Sequence, residues 1–182
     1  AETLEREQHI ARSLISAAGS YSAALGRTEL PEAIATLLPS YLRAAQQSAS
    51  VIEIAQQMIA VQGELGELND ERLDEPVQAF RREAVRAIGM VGIGEAEIDA
   101  AQVDPIISEL DQVYEVAKQT ALREGVSGRL GVLQMDALLR YLALARRAAQ
   151  QLVKATRRLA VIRTALDAGQ AVPEAHPGDD GF

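Results

Sequence analysis

The chain has no Cys and no Trp in 182 residues, and aromatics make up only 3%. Without Cys there is no disulfide framework, no thiol nucleophile and no thiolate metal site, which fits a reducing compartment. Histidine is almost as scarce, with only His9 and His176. Neither has a Glu three residues before it, so the Glu-x-x-His pairs that aim two ligands inward in a di-iron bundle are missing. His9 is expected near the surface of its helix and His176 in a tail. Positive charge is also in deficit, at 18 Lys and Arg against 26 Asp and Glu, for a net charge of -8. That balance argues against nucleic acid or anionic lipid as the main partner. No apolar run reaches bilayer length and no signal peptide is evident, so the segment reads as soluble. The first residues are Ala1-Glu2-Thr3 rather than Met, as expected of a trimmed chain or of a piece of a longer one.

What the chain does have is Ala, Leu and a three-four spacing of apolar positions, the pattern of packed helices. Four helical blocks follow. The first spans about Thr3 to Leu25, with Leu4, Ile10, Leu14, Ala18, Tyr21 and Leu25 on one side and Gly26 placed to cap it. The second starts near the N-cap candidate Thr28. Its stripe is Leu38, Leu42, Ala45, Ala49, Ile52, Ala55 and Ile59, with a kink expected at Pro39. Gly63 to Leu73 reads as a loop rich in Gly and carboxylates. The third block starts at Asp74-Glu75-Pro76 and carries Val77, Phe80, Ala84, Ala87 and Ile88. It weakens at Gly89, Gly92 and Gly94, and restarts at Asp104-Pro105 with Ile106, Leu110, Val113 and Ala117. The Gly89 to Gly94 stretch lacks the Lys-Ser/Thr ending of a phosphate loop, and a helix break explains it better. After the turn Gly125 to Gly128, the fourth block runs from about Leu130 to Ala168. Met135, Leu138, Leu142, Ala145, Ala149, Leu152, Thr156 and Leu159 form its inner stripe.

The pentapeptide Arg-Ala-Ala-Gln-Gln occurs at Arg43 to Gln47 and again at Arg147 to Gln151. Two similar long helices sharing one core would produce this echo, and so would chance in Ala-rich sequence. The expected fold is an all-α, antiparallel, up-down bundle over residues 1–168, with a disordered tail at 169–182.

Candidate chemistry is sparse. The carboxylates Glu64, Glu67, Asp70, Glu71, Asp74 and Glu75 could hold a hard cation, but their spacing is not that of an EF-hand loop, and a solvated linker explains them. Arg140, Arg147 and Lys154 recur every seven residues on one face of the fourth block. That stripe is the candidate partner face, and the alternative is a solvated or internally neutralised helix surface.

Leu37 to Ala45 with Ser50 to Ile59 resembles the central helix of PhoU-like domains. Met135 to Leu142 with Arg147 to Leu159 resembles the last helix of the same domain. The form most similar is the cytoplasmic tail of bacterial sodium/phosphate cotransporters, and Val103 to Ser127 fits that tail as well. The resemblance covers nearly the whole chain to Arg163. It implies a PhoU-like bundle with long helices and a regulatory, non-catalytic role in phosphate transport. It also implies a place on the cytoplasmic side of a membrane protein. The implied partner is a membrane transporter domain of the same or a companion protein, with homo-oligomers as a further option and no nucleic acid. The family's Glu/Asp-x-x-x-Asp motifs fall at Ala49 and Glu53 and at Arg146 and Gln150. Only Glu53 keeps a carboxylate, so no metal, cofactor or catalytic residue is expected. A metal-binding bundle of the same type and a generic helical oligomerisation module are the alternatives.

Overall fold

The computed structural model describes residues 32–66, 71–92 and 100–167, with positions 6, 9, 13, 16, 17, 19 and 20. The first block's stripe, Gly26, Thr28, His176 and the 169–182 tail lie outside the described residues. His9 is described and is exposed.

Beyond the helical positions before residue 21, the described residues form helices α1 (Glu32–Leu65), α2 (Glu71–Gly92), α3 (Ala100–Val126) and α4 (Val132–Asp167) in order. No strand occurs among the described residues. Strong helix formers fill all four, and α4, at 36 residues, contains no Pro. Most of their stability comes from packing an apolar face rather than from propensity.

Contacts between distant residues fix the directions. Leu37 meets Ile162 at one end of α1 and Glu64 meets Arg140 at the other, so α1 and α4 run in opposite directions. Asp104 meets Arg157 and Asp111 meets Arg146, which makes α3 and α4 opposed as well. Phe80 meets Tyr114 and Arg86 meets Glu109, giving the same relation between α2 and α3. Among the described helices α4 packs against all three others, whereas α1 packs on α4 alone.

The main core lies where α2, α3 and the first half of α4 converge. Leu73, Phe80, Leu110, Leu138 and Leu142 are fully buried there, joined by Val61 and Leu65 from the end of α1. Leu37 and Ile162 form a smaller cluster with Ala165 at the far end of the α1/α4 pair.

Several boundaries differ from the sequence expectation. The expected loop of Gly63 to Leu73 is shorter, because α1 continues to Leu65 and α2 begins at Glu71. Leu73 has no exposed surface, and burying it requires the extra turn before Pro76. Likewise α3 begins at Ala100, so Pro105 lies inside the helix rather than opening it. As the sixth residue of α3, Pro105 leaves the Ala101 carbonyl without its helical donor, a loss confined to the first two turns. Pro39 also lies within the continuous α1.

The buried face of α1 is offset from the expected stripe. Leu37, Ala44, Ile54 and Val61 are buried, while Ile59 is 57% exposed. The second half of α4 shifts in the same way, with Val153, Ala155 and Ile162 buried and Leu159 at 42% exposure. The two pentapeptides do share a face, each burying its first Ala, Ala44 and Ala148, and exposing its Arg.

Candidate functional site

The stripe on α4 lies opposite Leu142, Ala145 and Ala149, whose burial turns Arg140 and Arg147 outward. Its three members have different surroundings. Arg140 donates from Nε to Asp136 Oδ2 at 2.9 Å and from a terminal nitrogen to Glu64 at the end of α1. The Glu64 hydrogen bond, ahead of the other carboxylate interactions, holds the Arg140 guanidinium above its usual pKa. Arg140 therefore ties α4 to α1. Arg147 is exposed and Lys154 half-buried, and neither has an ion pair or hydrogen bond among the described residues.

Arg147 and Lys154 border a groove of about 360 Å³, lined further by Ala143, Arg146, Gln150 and Gln151 of α4 and by Tyr114 of α3. Its wall is built across the α3/α4 seam. Arg146 Nε donates to Asp111 Oδ1 at 2.7 Å and Gln150 Nε2 donates to the same oxygen at 3.3 Å. The Arg146 guanidinium also lies 4.7 Å from the Tyr114 ring centroid, an attractive cation–π distance. The Asp111 hydrogen bond raises the Arg146 pKa, against an opposing effect of burial. Asp111 neutralises Arg146 locally, so the unpaired positive charge of the groove belongs to Arg147 and Lys154.

This seam occupies two of the four positions where the resemblance places metal ligands. Arg146 and Gln150 turn to Asp111, while on α1 Ala49 is half-buried and Glu53 is half-buried and already engaged in an interaction. The acidic run is dispersed: Glu64 pairs with Arg140, Glu75 pairs with Arg82 at 3.1 Å, and Asp74 accepts from Gln78 at 3.4 Å. Glu67 and Asp70 lie outside the described residues. Among the described residues no group of three His, Cys, Asp or Glu is placed to hold a metal ion.

Sequence reasoning found the two unpaired cations but missed Asp111 and Tyr114. Asp111 is 35 residues from Arg146, and only the opposed packing of α3 and α4 joins them. The one available signal was the seven-residue step from Asp104 to Asp111, which places both carboxylates on the α3 face toward α4.

No helix among the described residues is long and apolar enough to cross a membrane. No protein-family model matches the chain, and comparison with curated proteins and with solved structures gives no match.

Proposed function

We propose that this chain is a non-catalytic regulatory or interaction domain of PhoU type, linked to phosphate transport. In this reading it is the cytoplasmic part of a sodium/phosphate cotransporter, or a companion of one. The observation that carries the interaction role is the pair Arg147 and Lys154, which have no ion pair among the described residues and place positive charge on a protein of net charge -8. Such a strip orients an approaching acidic surface and disfavours wrong partners. The link to phosphate transport rests on the resemblance of α1 and α4 to PhoU helices.

The mechanism is a bias on conformations. A domain that binds one state of a transporter better than another shifts their balance by its differential affinity, about 1.4 kcal/mol for each tenfold. No bond is made or broken. The test reverses both charges, Arg147→Glu with Lys154→Glu, in the full-length protein, and measures phosphate uptake and co-purification with the transporter. A change in either, with the bundle folded by circular dichroism, is the expected result. Unchanged uptake and association in a folded variant would end this assignment.

A second reading, a helical oligomerisation module, has one observation in its favour. Val126, Val132 and Leu133 are 90%, 72% and 86% exposed at the α3/α4 end of the bundle. Clustered exposed apolar side chains mark interaction sites. Sedimentation of the native chain against Leu133→Glu decides it, and a dimer that dissociates in the variant would favour the module.

A further inference from the structure

We infer that the α4 groove receives an acidic helix from a partner protein, whose carboxylates, seven residues apart, meet Arg147 and Lys154. The inference rests on reading the chain as an interaction domain and adds the chemistry of the partner.

The shape comes first. From Ala143 to Lys154 the groove's lining follows α4 for eleven residue steps, about 16 Å of helix. Its volume of about 360 Å³ accommodates side chains rather than a whole helix, so a facing helix would rest on its rim and send side chains into it. A row of side chains from one face of a helix reaches lining residues along the whole of that length, whereas a compact anion touches only some of them. Ala143, exposed and small, lets another backbone approach at one end. The Tyr114 ring, stacked against Arg146, forms a firm wall on the α3 side.

The charge pattern comes second. Arg147 and Lys154 are seven residues apart, about 10.5 Å along the axis. Carboxylates one heptad apart on a facing helix rise by the same distance and stay on one side, which is how paired helices set their register through charge. Gln151, between the two cations, offers both an amide donor and an acceptor. Arg146 is neutralised by Asp111, so the attraction is concentrated at two points. The surplus negative charge of the rest of the chain repels an acidic helix that arrives elsewhere.

The test is a nitrogen-15 NMR titration of the full chain at low salt. The probe is a synthetic amphipathic helix with one Glu per heptad on its polar face. Signals of Tyr114 and of residues 143–154 should move. The dissociation constant should weaken by at least about tenfold in Arg147→Glu with Lys154→Glu, and weaken again as salt rises. Four results would overturn the inference. The groove signals may stay still. The same peptide with Lys in place of Glu may bind equally well. Citrate at equal concentration may move the same signals, which would make this a small-anion site. Lastly, a chain carrying Glu174→Gln, Asp179→Asn and Asp180→Asn may bind the peptide about tenfold more tightly, which would make the chain's own 168–182 segment the occupant. If the titration fails while charge reversal still alters uptake, the regulatory reading stands without the acidic helix. If the peptide binds and uptake is unaffected, the link to transport falls and the groove remains.

Discussion

Arg146 donates its Nε hydrogen to Asp111 Oδ1 across 2.7 Å, joining the middle of α4 to α3. The same Asp111 oxygen accepts from Gln150, one turn further along α4. The PhoU-like reading of the sequence implies a metal-binding motif at those two α4 positions. Here a guanidinium and an amide stand there, and the carboxylate they contact comes from the neighbouring helix. A guanidinium at a ligand position repels a cation and occupies the carboxylate that might have held one.

Divalent metals should therefore bind weakly at this position. Glu53 is the one carboxylate at the four positions where the PhoU-like reading implies ligands, and a lone carboxylate falls short of the six or so oxygens that Ca²⁺ or Mg²⁺ takes. Calorimetry with Mg²⁺, Mn²⁺, Fe²⁺ and Zn²⁺ should show nothing tighter than about millimolar. Micromolar binding abolished by Glu53→Ala would contradict this.

Leu142 has no exposed surface and sits where α4 meets the core of α2 and α3. Leu142→Ala should destabilise the bundle by about 2–5 kcal/mol, from lost burial plus the cavity left behind. Urea denaturation measures it, and a shift under about 0.5 kcal/mol would place Leu142 outside the cooperative core.

How much of this was legible in the sequence depends on the element. The all-helical class and the inner stripe of early α4 follow from apolar period, and Leu138, Leu142, Ala145 and Ala149 are buried as the spacing implies, whereas the expected turn at Gly125 to Gly128 falls later, because α3 keeps Gly125 and Val126 and α4 begins at Val132. The phase of α1 was not legible. Its apolar residues cover two neighbouring faces, and among the described helices only α4 packs against it, so Leu37 and Ile54 are buried while Ile59 is not. Period is a property of one helix, whereas phase depends on where its neighbours lie. The groove was half legible for a similar reason. Arg147 and Lys154 share a face by spacing alone, but Asp111 and Tyr114 reach it only through the packing of α3.

Gly128 holds the turn between α3 and α4 with φ of +75°, in the left-handed region. Its N–H donates to the Gly125 carbonyl at 3.0 Å as α3 ends. A Cβ there meets no neighbouring atom, so the cost of Gly128→Ala is that of the backbone conformation. It should be about 1–2 kcal/mol. Thermal or chemical denaturation reads it. A neutral result would show that the turn relaxes freely.

Beside that turn lies Glu124, the one buried charged residue among those described. Arg129 Nε donates to its carboxylate, and this hydrogen bond, ahead of the opposing effect of burial, lowers the Glu124 pKa. A carboxyl with a lowered folded pKa adds stability above its unfolded value, about 4.3 for Glu, and loses that contribution as pH falls toward the folded value. Acid should therefore weaken the native chain through this window. Glu124→Gln should flatten that part of the profile. An identical acid limb in the variant would remove Glu124 from the account.

Arg140 and Arg147 sit one heptad apart on the same face, yet reversing their charges should have different consequences. Arg140→Glu places a third carboxylate against Glu64 and Asp136, which now hold the guanidinium. It should lower the unfolding midpoint, most visibly at low salt, where repulsion is least screened. Arg147 has no partner to lose among the described residues, so Arg147→Glu should change stability by less than about 0.5 kcal/mol. The contrast separates the two roles that equal spacing conceals. Arg140 fastens α4 to α1, and a charge that fastens helices registers in denaturation. Arg147 faces outward, and a charge kept for a partner registers only in association. Equal destabilisation by both reversals would mean that the whole stripe is structural, and the groove would then lose its claim to a partner.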